Sequence, residues 1–158
     1  MNVWKSRKWT TLLTSNYRSG VRLRCDKDVN IEVKNACKAF LQWVRKEYSF
    51  PLRVNIYVKN VDFIRAQDGD LVYGTFFRPY EYTVEPYIKI AVGDYLSEKN
   101  ELGRDDALAS IICLLSHELT HYFQYINNEV LTPSGEERQA SYYSVKILRQ
   151  YATTREHP

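Results

Sequence analysis

Apolar residues along this chain repeat with two periods. From Asn30 onward Val33, Ala36, Cys37, Phe40, Leu41, Val44 and Tyr48 recur at intervals of three and four, which puts them on one face of a helix ending before "SFP". The period then drops to two. In "PLRVNIYVKN" (51–60) Leu52, Val54, Ile56 and Val58 alternate with polar or amphipathic neighbours, the pattern of a strand buried on one face. The preceding helix should therefore lie on a sheet. "LVYGTFF" (71–77) and "PYIKIAV" (86–92) read as two more strands, and the turn residues "QDGD" (67–70) make the first of these the second arm of a hairpin begun at "VDFIRA" (61–66). Gly74 inside that arm marks either a bulge or a place where another backbone comes close.

Helical spacing returns at Asp105 and persists to about Asn128. Asp105 and Asp106 open this segment, where a helix N-terminus favours negative charge. Leu108, Ile111, Ile112, Leu115, Leu119, Tyr122, Phe123 and Ile126 fall on one arc of it at ~100° per residue. After the turn-forming residues "NNEVLTPSGEE" a last helix spans about Ser134 to Tyr151, and the end of the chain is expected to fray. The first 28 residues show no sustained period: "VWKSRKW" reads as a loose amphipathic arm and "GVRLRC" as a short strand. The expected organisation is a basic arm and short strand over 1–29, then one domain over 30–158. That domain divides into a sheet lobe (30–104) and a helical lobe (105–158), and the fold class is α+β, an N-terminal helix on a small mixed sheet followed by two helices.

Composition narrows the picture. The 158 residues are 44% hydrophobic and 26% charged, with six glycines and five prolines, which suits one globular domain large enough to bury a core without disulfides. The longest apolar run, "IICLL" (111–115), is far too short to span a bilayer. No secretory signal is visible, and Cys25, Cys37 and Cys113 form no CxxC pair, so the expectation is reduced thiols in a cytoplasmic protein. The net charge of +3 hides an asymmetry: residues 1–60 hold 13 Lys/Arg against 4 Asp/Glu, and residues 61–158 hold 9 against 15. A basic half can meet nucleic acid, or it can simply neutralise its acidic neighbour.

The candidate chemistry lies in "SHELTH" (116–121). Two of the three histidines, His117 and His121, sit four residues apart here, so on a helix both rings project from one side and can face one ion. Glu118 lies ~100° round from His117, beside such an ion, where a base must sit to take a proton from an attacking water. A shuffled sequence of this composition shows the HExxH pattern in roughly one case in 400. Catalytic zinc usually takes three protein ligands, and "SGEERQASYYSVKIL" (134–148) supplies Glu137, at helical spacing from Ala140, Ser141 and Ser144. Two other readings stand beside it: Glu136 is the ligand, or Glu137 closes a capping box with Ser134. Cys113, one turn before His117, reads as a buried thiol, and His157 as a solvent-exposed residue near the chain end.

HELTH followed after a short loop by a glutamate helix resembles the gluzincin metallopeptidases, and the chain is similar in size to their minimal, single-domain members. The resemblance covers residues 30–151 in organisation and is specific over 117–144. It implies a zincin-like fold with an active-site helix and a glutamate helix, and zinc (Zn2+) held by His117, His121 and Glu137, the last from the E-x-x-A match Glu137-Arg138-Gln139-Ala140. It further implies Glu118 as general base in peptide-bond hydrolysis, with an edge strand, "YGTFF" (73–77), holding a peptide or protein substrate extended. The chain departs from the family's pattern where Ser141 replaces the Asp or Asn that often supports a zinc histidine. For the group that steadies the oxyanion, Tyr125, one turn beyond His121, is the candidate. The expected activity is thus that of a zinc metallopeptidase without a membrane partner. The alternatives are a non-enzymatic zinc-binding module and a protease acting on DNA-bound proteins such as repressors, which would give the basic half a nucleic-acid partner.

Overall fold

The computed structural model describes residues 2–13 and 16–154; His157 lies outside them. Strand β1 (Val21–Cys25) leads into α2 (Ile31–Glu47), after the short α1 (Trp9–Leu12), and β2 (Val54–Lys59) follows. Asn30 caps α2 by accepting the Glu32 N–H at 2.8 Å, which fixes the start that the period indicates. β1 and β2 pair in parallel, Leu23 opposite Ile56, and parallel neighbours need a crossover such as α2. β6 (Tyr87–Ala91) adds in parallel to β2, and β5 (Gly74–Phe77) adds antiparallel to β6, giving the order β1-β2-β6-β5. β5 is therefore an edge strand.

The stretch 71–77 is not one strand. Leu71–Val72 forms β4, which pairs with β3 (Ile64–Arg65) in the expected hairpin, while Gly74–Phe77 turns into the main sheet. Tyr73 is the hinge, its carbonyl accepting the Ala91 N–H at 2.8 Å. One apolar run thus serves two sheets, which alternation alone does not reveal. A helix absent from the periodicity, α3 (Tyr95–Leu102), buries only Tyr95. Gly103, at φ 88°, separates it from α4 (Arg104–Ile126), a backbone conformation that glycine adopts without the steric cost of a Cβ. α5 (Pro133–Thr153) completes the chain.

The architecture is a mixed α/β domain with five helices and a small mixed sheet among the described residues. Its sheet is buried on one face. Val54, Ile56, Val58, Ile88 and Ile90 are fully inaccessible and join α2 and α4 in one apolar core. All eight residues of the predicted α4 arc are buried, so α4 is a central core element. None of the described helices is long and apolar enough to cross a membrane.

The N-terminal segment differs from the loose arm expected. Val3 and Trp4 are buried, and the Trp4 ring lies 4.7 Å from Phe123 and 5.0 Å from Tyr48. Its indole N–H donates to Thr120 Oγ1 at 2.9 Å, and Asn127 accepts the Trp9 N–H at 3.1 Å. Two isolated anchors without a period carry this packing, which is why the pattern hides it. Basic residues of the first half meet acids of the second, as in Arg18 with Glu85 (2.7 Å) and Lys8 with Glu129 (3.3 Å).

Candidate metal centre

α4 and α5 bring together what the sequence keeps apart. One ligand atom each from His117, His121 and Glu137 lies within 4.8 Å of the others. Glu137 presents one carboxylate oxygen to each ring, 2.9 Å from His117 Nε2 and 3.0 Å from His121 Nε2. His121 is buried, and burial lowers its pKa, which favours the neutral ring that a metal requires. The donor set of two imidazole nitrogens and one carboxylate fits zinc. Bonds of ~2.0–2.1 Å in tetrahedral array need ligand atoms ~3.4 Å apart, so the two short contacts of 2.9 and 3.0 Å would open slightly and the wider separations, up to 4.8 Å, would close around an ion.

The local sequence explains why Glu137 is free to do this. α5 is capped by Thr132, whose Oγ1 accepts the Gly135 N–H at 3.0 Å, with Pro133 at the first helical position. Ser134 is thus inside the helix rather than at its cap, and Glu137 closes no capping box with it. Glu136 points elsewhere and pairs with Arg78 at 3.0 Å, so it takes no part in the triad. Ala140 and Ser144 are buried against the core, whereas Ser141 is exposed and holds neither histidine.

The residue that supports His121 is Gln124. Its Oε1 lies 2.8 Å from His121 Nδ1, while its Nε2 donates to the Glu136 carbonyl (3.0 Å) and to Gln139 Oε1 (2.9 Å). With both amide hydrogens engaged, Oε1 must accept, so Nδ1 carries the hydrogen and Nε2 keeps its lone pair toward Glu137. A buried Gln three residues after the second histidine was the available signal, although Gln in a helix rarely draws notice.

Glu118 sits deeper, 5% exposed, beneath β5. Burial, and secondarily the negative Glu137, raise its carboxyl to about 8. The close approach comes from Gly74: a Cβ there would stand 2.9 Å from Leu114 Cδ1 and 3.3 Å from Glu118 Oε2. Of the two readings of this glycine, close approach holds, though the neighbour is a pair of α4 side chains rather than a backbone.

Triad, Glu118 and β5 line an open cleft of about 430 Å³, and Arg78 is the one Lys or Arg among the described residues of its lining. Tyr125 does not line it. Its ring packs on Phe76 and Tyr82, its hydroxyl is buried without a hydrogen-bond partner among the described residues, and burial pushes that hydroxyl up to about 12. Cys113 is half-buried and lies outside the ligand group, and all three cysteines are free thiols. None of residues 2–13 lines the cleft. In comparisons with known proteins, no family model, curated protein or solved structure matches this chain.

Proposed function

We propose that this chain is a zinc metallopeptidase of the gluzincin type, with a minimal zincin-like domain. The observation that carries the reading is the triad His117, His121 and Glu137 on two facing helices, with Glu118 beside it under an open strand edge. Zinc bound there would polarise a substrate carbonyl and acidify water.

The chain's own residues supply the rest. Glu118 takes the proton of the attacking water and delivers it to the leaving amine; its burial makes it a stronger base than a solvated carboxylate. β5 offers main-chain groups along its free edge, so a substrate can lie beside it as an added strand. Gln124 keeps the His121 ring in one orientation and one tautomer. Arg78, held by Glu136 on the cleft wall, is the cation placed to hold a substrate carbonyl or developing oxyanion, in the role first assigned to Tyr125.

The test combines metal analysis with hydrolysis. Purified protein should hold one zinc per chain and cut a random peptide library, whereas Glu118→Gln should keep the metal and lose the cutting. A fully active glutamine variant would refute the mechanism. A wild type that binds zinc but cuts nothing would favour the non-enzymatic module.

A further inference from the structure

Next to the cleft lies a second cavity, of about 280 Å³, whose lining includes Tyr73, Asp94, Glu98, Ala107, Ile111 and Leu114. It is smaller than the ~300–1,000 Å³ of pockets that enclose whole small ligands, and of a size for one large side chain. It also adjoins the cleft directly. Tyr73 and Leu114 line the cavity, their neighbours Gly74 and Glu118 line the cleft, and Gly74 packs on Leu114.

We propose that this cavity is the specificity pocket of the peptidase and takes the side chain of a substrate lysine or arginine. The proposal rests on the peptidase reading above and adds the substrate class to it. Position supports it first: Leu114 and Ile111 precede Glu118 on α4 by ~6 and ~10 Å at 1.5 Å per residue. An extended peptide advances ~3.4 Å per residue along β5, so the entering side chain belongs to a residue within about three of the bond cut.

Chemistry then selects the side chain. The wall is apolar, from Ala107, Ile111 and Leu114, and matches an aliphatic stem. Asp94, the N-cap of α3, and Glu98, one turn into that helix, are half-buried, and among the described residues neither carboxylate has a hydrogen-bond or ion-pair partner. A purely apolar side chain would strip water from these carboxylates and give nothing in return. An acidic one would meet like charge. Lysine and arginine lay an apolar stem on the wall and carry a cation to its end, and the half-exposed Tyr73 ring adds a face that attracts cations.

The experiment uses zinc-loaded full-length protein and a random peptide library, with cut sites read by mass spectrometry. Lysine and arginine should be enriched at least tenfold over leucine at one fixed position within three residues of the cut. The double variant Asp94→Asn/Glu98→Gln should lose that preference, cutting a lysine peptide ten- to a hundredfold less efficiently, while its rate on the norleucine twin does not fall. No positional preference, or a preference for apolar residues that the double variant keeps, overturns the proposal. If wild type cuts nothing, the peptidase reading fails and binding decides the pocket on its own. For that arm, fluorescence anisotropy compares two labelled Ala/Gly decapeptides, one with a central lysine and one with norleucine. Tighter binding of the lysine peptide to wild type but not to the double variant supports the pocket, and equal binding to wild type overturns it. Circular dichroism of the double variant guards against misfolding.

Discussion

In protein stripped of metal by a chelator, Glu118→Gln should stabilise the fold at pH 8 and change it little at pH 5. The carboxyl is raised from 4.5 to about 8, with burial as the main cause. Between those values the folded state holds a proton that the unfolded state has released, so wild-type stability falls as pH rises through the window. At ~1.4 kcal/mol per unit, the loss between pH 5 and 8 is about 3 kcal/mol. Glutamine keeps the shape and has no charge to bury. His121 works in the opposite sense, because its lowered pKa makes stability rise with pH, but that contribution is shared and largely cancels when the variant's profile is subtracted. Urea unfolding at both pH values is a suitable assay: with a slope of ~1–3 kcal/mol per molar, the midpoint of the variant should exceed that of wild type by roughly 1–3 M at pH 8. Parallel profiles from pH 5 to 8 would show that Glu118 ionises freely in the fold, and the argument for a buried base would collapse.

Glu137→Ala should weaken zinc binding by orders of magnitude in a competition with a chelator, because it removes a ligand, whereas Glu136→Ala should change it little; a selective loss in the second variant would place the ligand one residue earlier. Gln124→Ala should lower zinc affinity ~10–100-fold, and unchanged affinity would show that the His121 tautomer needs no support. Trp4→Ala should cost about 3–5 kcal/mol in chemical denaturation, and a loss under about 0.5 kcal/mol would mean that the N-terminal segment is not anchored in solution.

The site was more legible than the parts around it, for reasons that particular residues make clear. His117, Glu118, His121 and Glu137 fall where helical spacing places them, because α4 and α5 are long, uninterrupted helices. The α4 arc opposite the histidines is buried throughout. What escaped the pattern has little local signal. Trp4 finds its partners Thr120 and Phe123 more than a hundred residues along the chain, and no period of two or 3.6 encodes such a contact. Residues 71–77 look like one strand because their apolar content is continuous, yet Tyr73 and Gly74 turn the chain from one sheet into another. α3 escaped because a mostly polar two-turn helix offers no stripe to detect. Gln124 and Arg78 meet Glu136 and Gln139 only once α5 is in place beside them, so these contacts belong to tertiary structure.

α4 belongs to the core on one side and to the candidate site on the other, and this makes the fold itself a gauge of occupancy. Its two histidines stay at helical spacing only while the helix holds, and Glu137 reaches them only while α5 is packed against it. An unfolded chain keeps neither arrangement, so any ion that uses all three groups binds the folded form far more strongly. Mass action then converts affinity into heat resistance, with ~4 kcal/mol added when free ion stands at a thousand times its dissociation constant. A set of melting curves with different divalent cations would rank their fit to the site, whatever reaction follows. The same coupling would tie the protein's lifetime to metal supply, since the emptied chain would spend more time open to proteases.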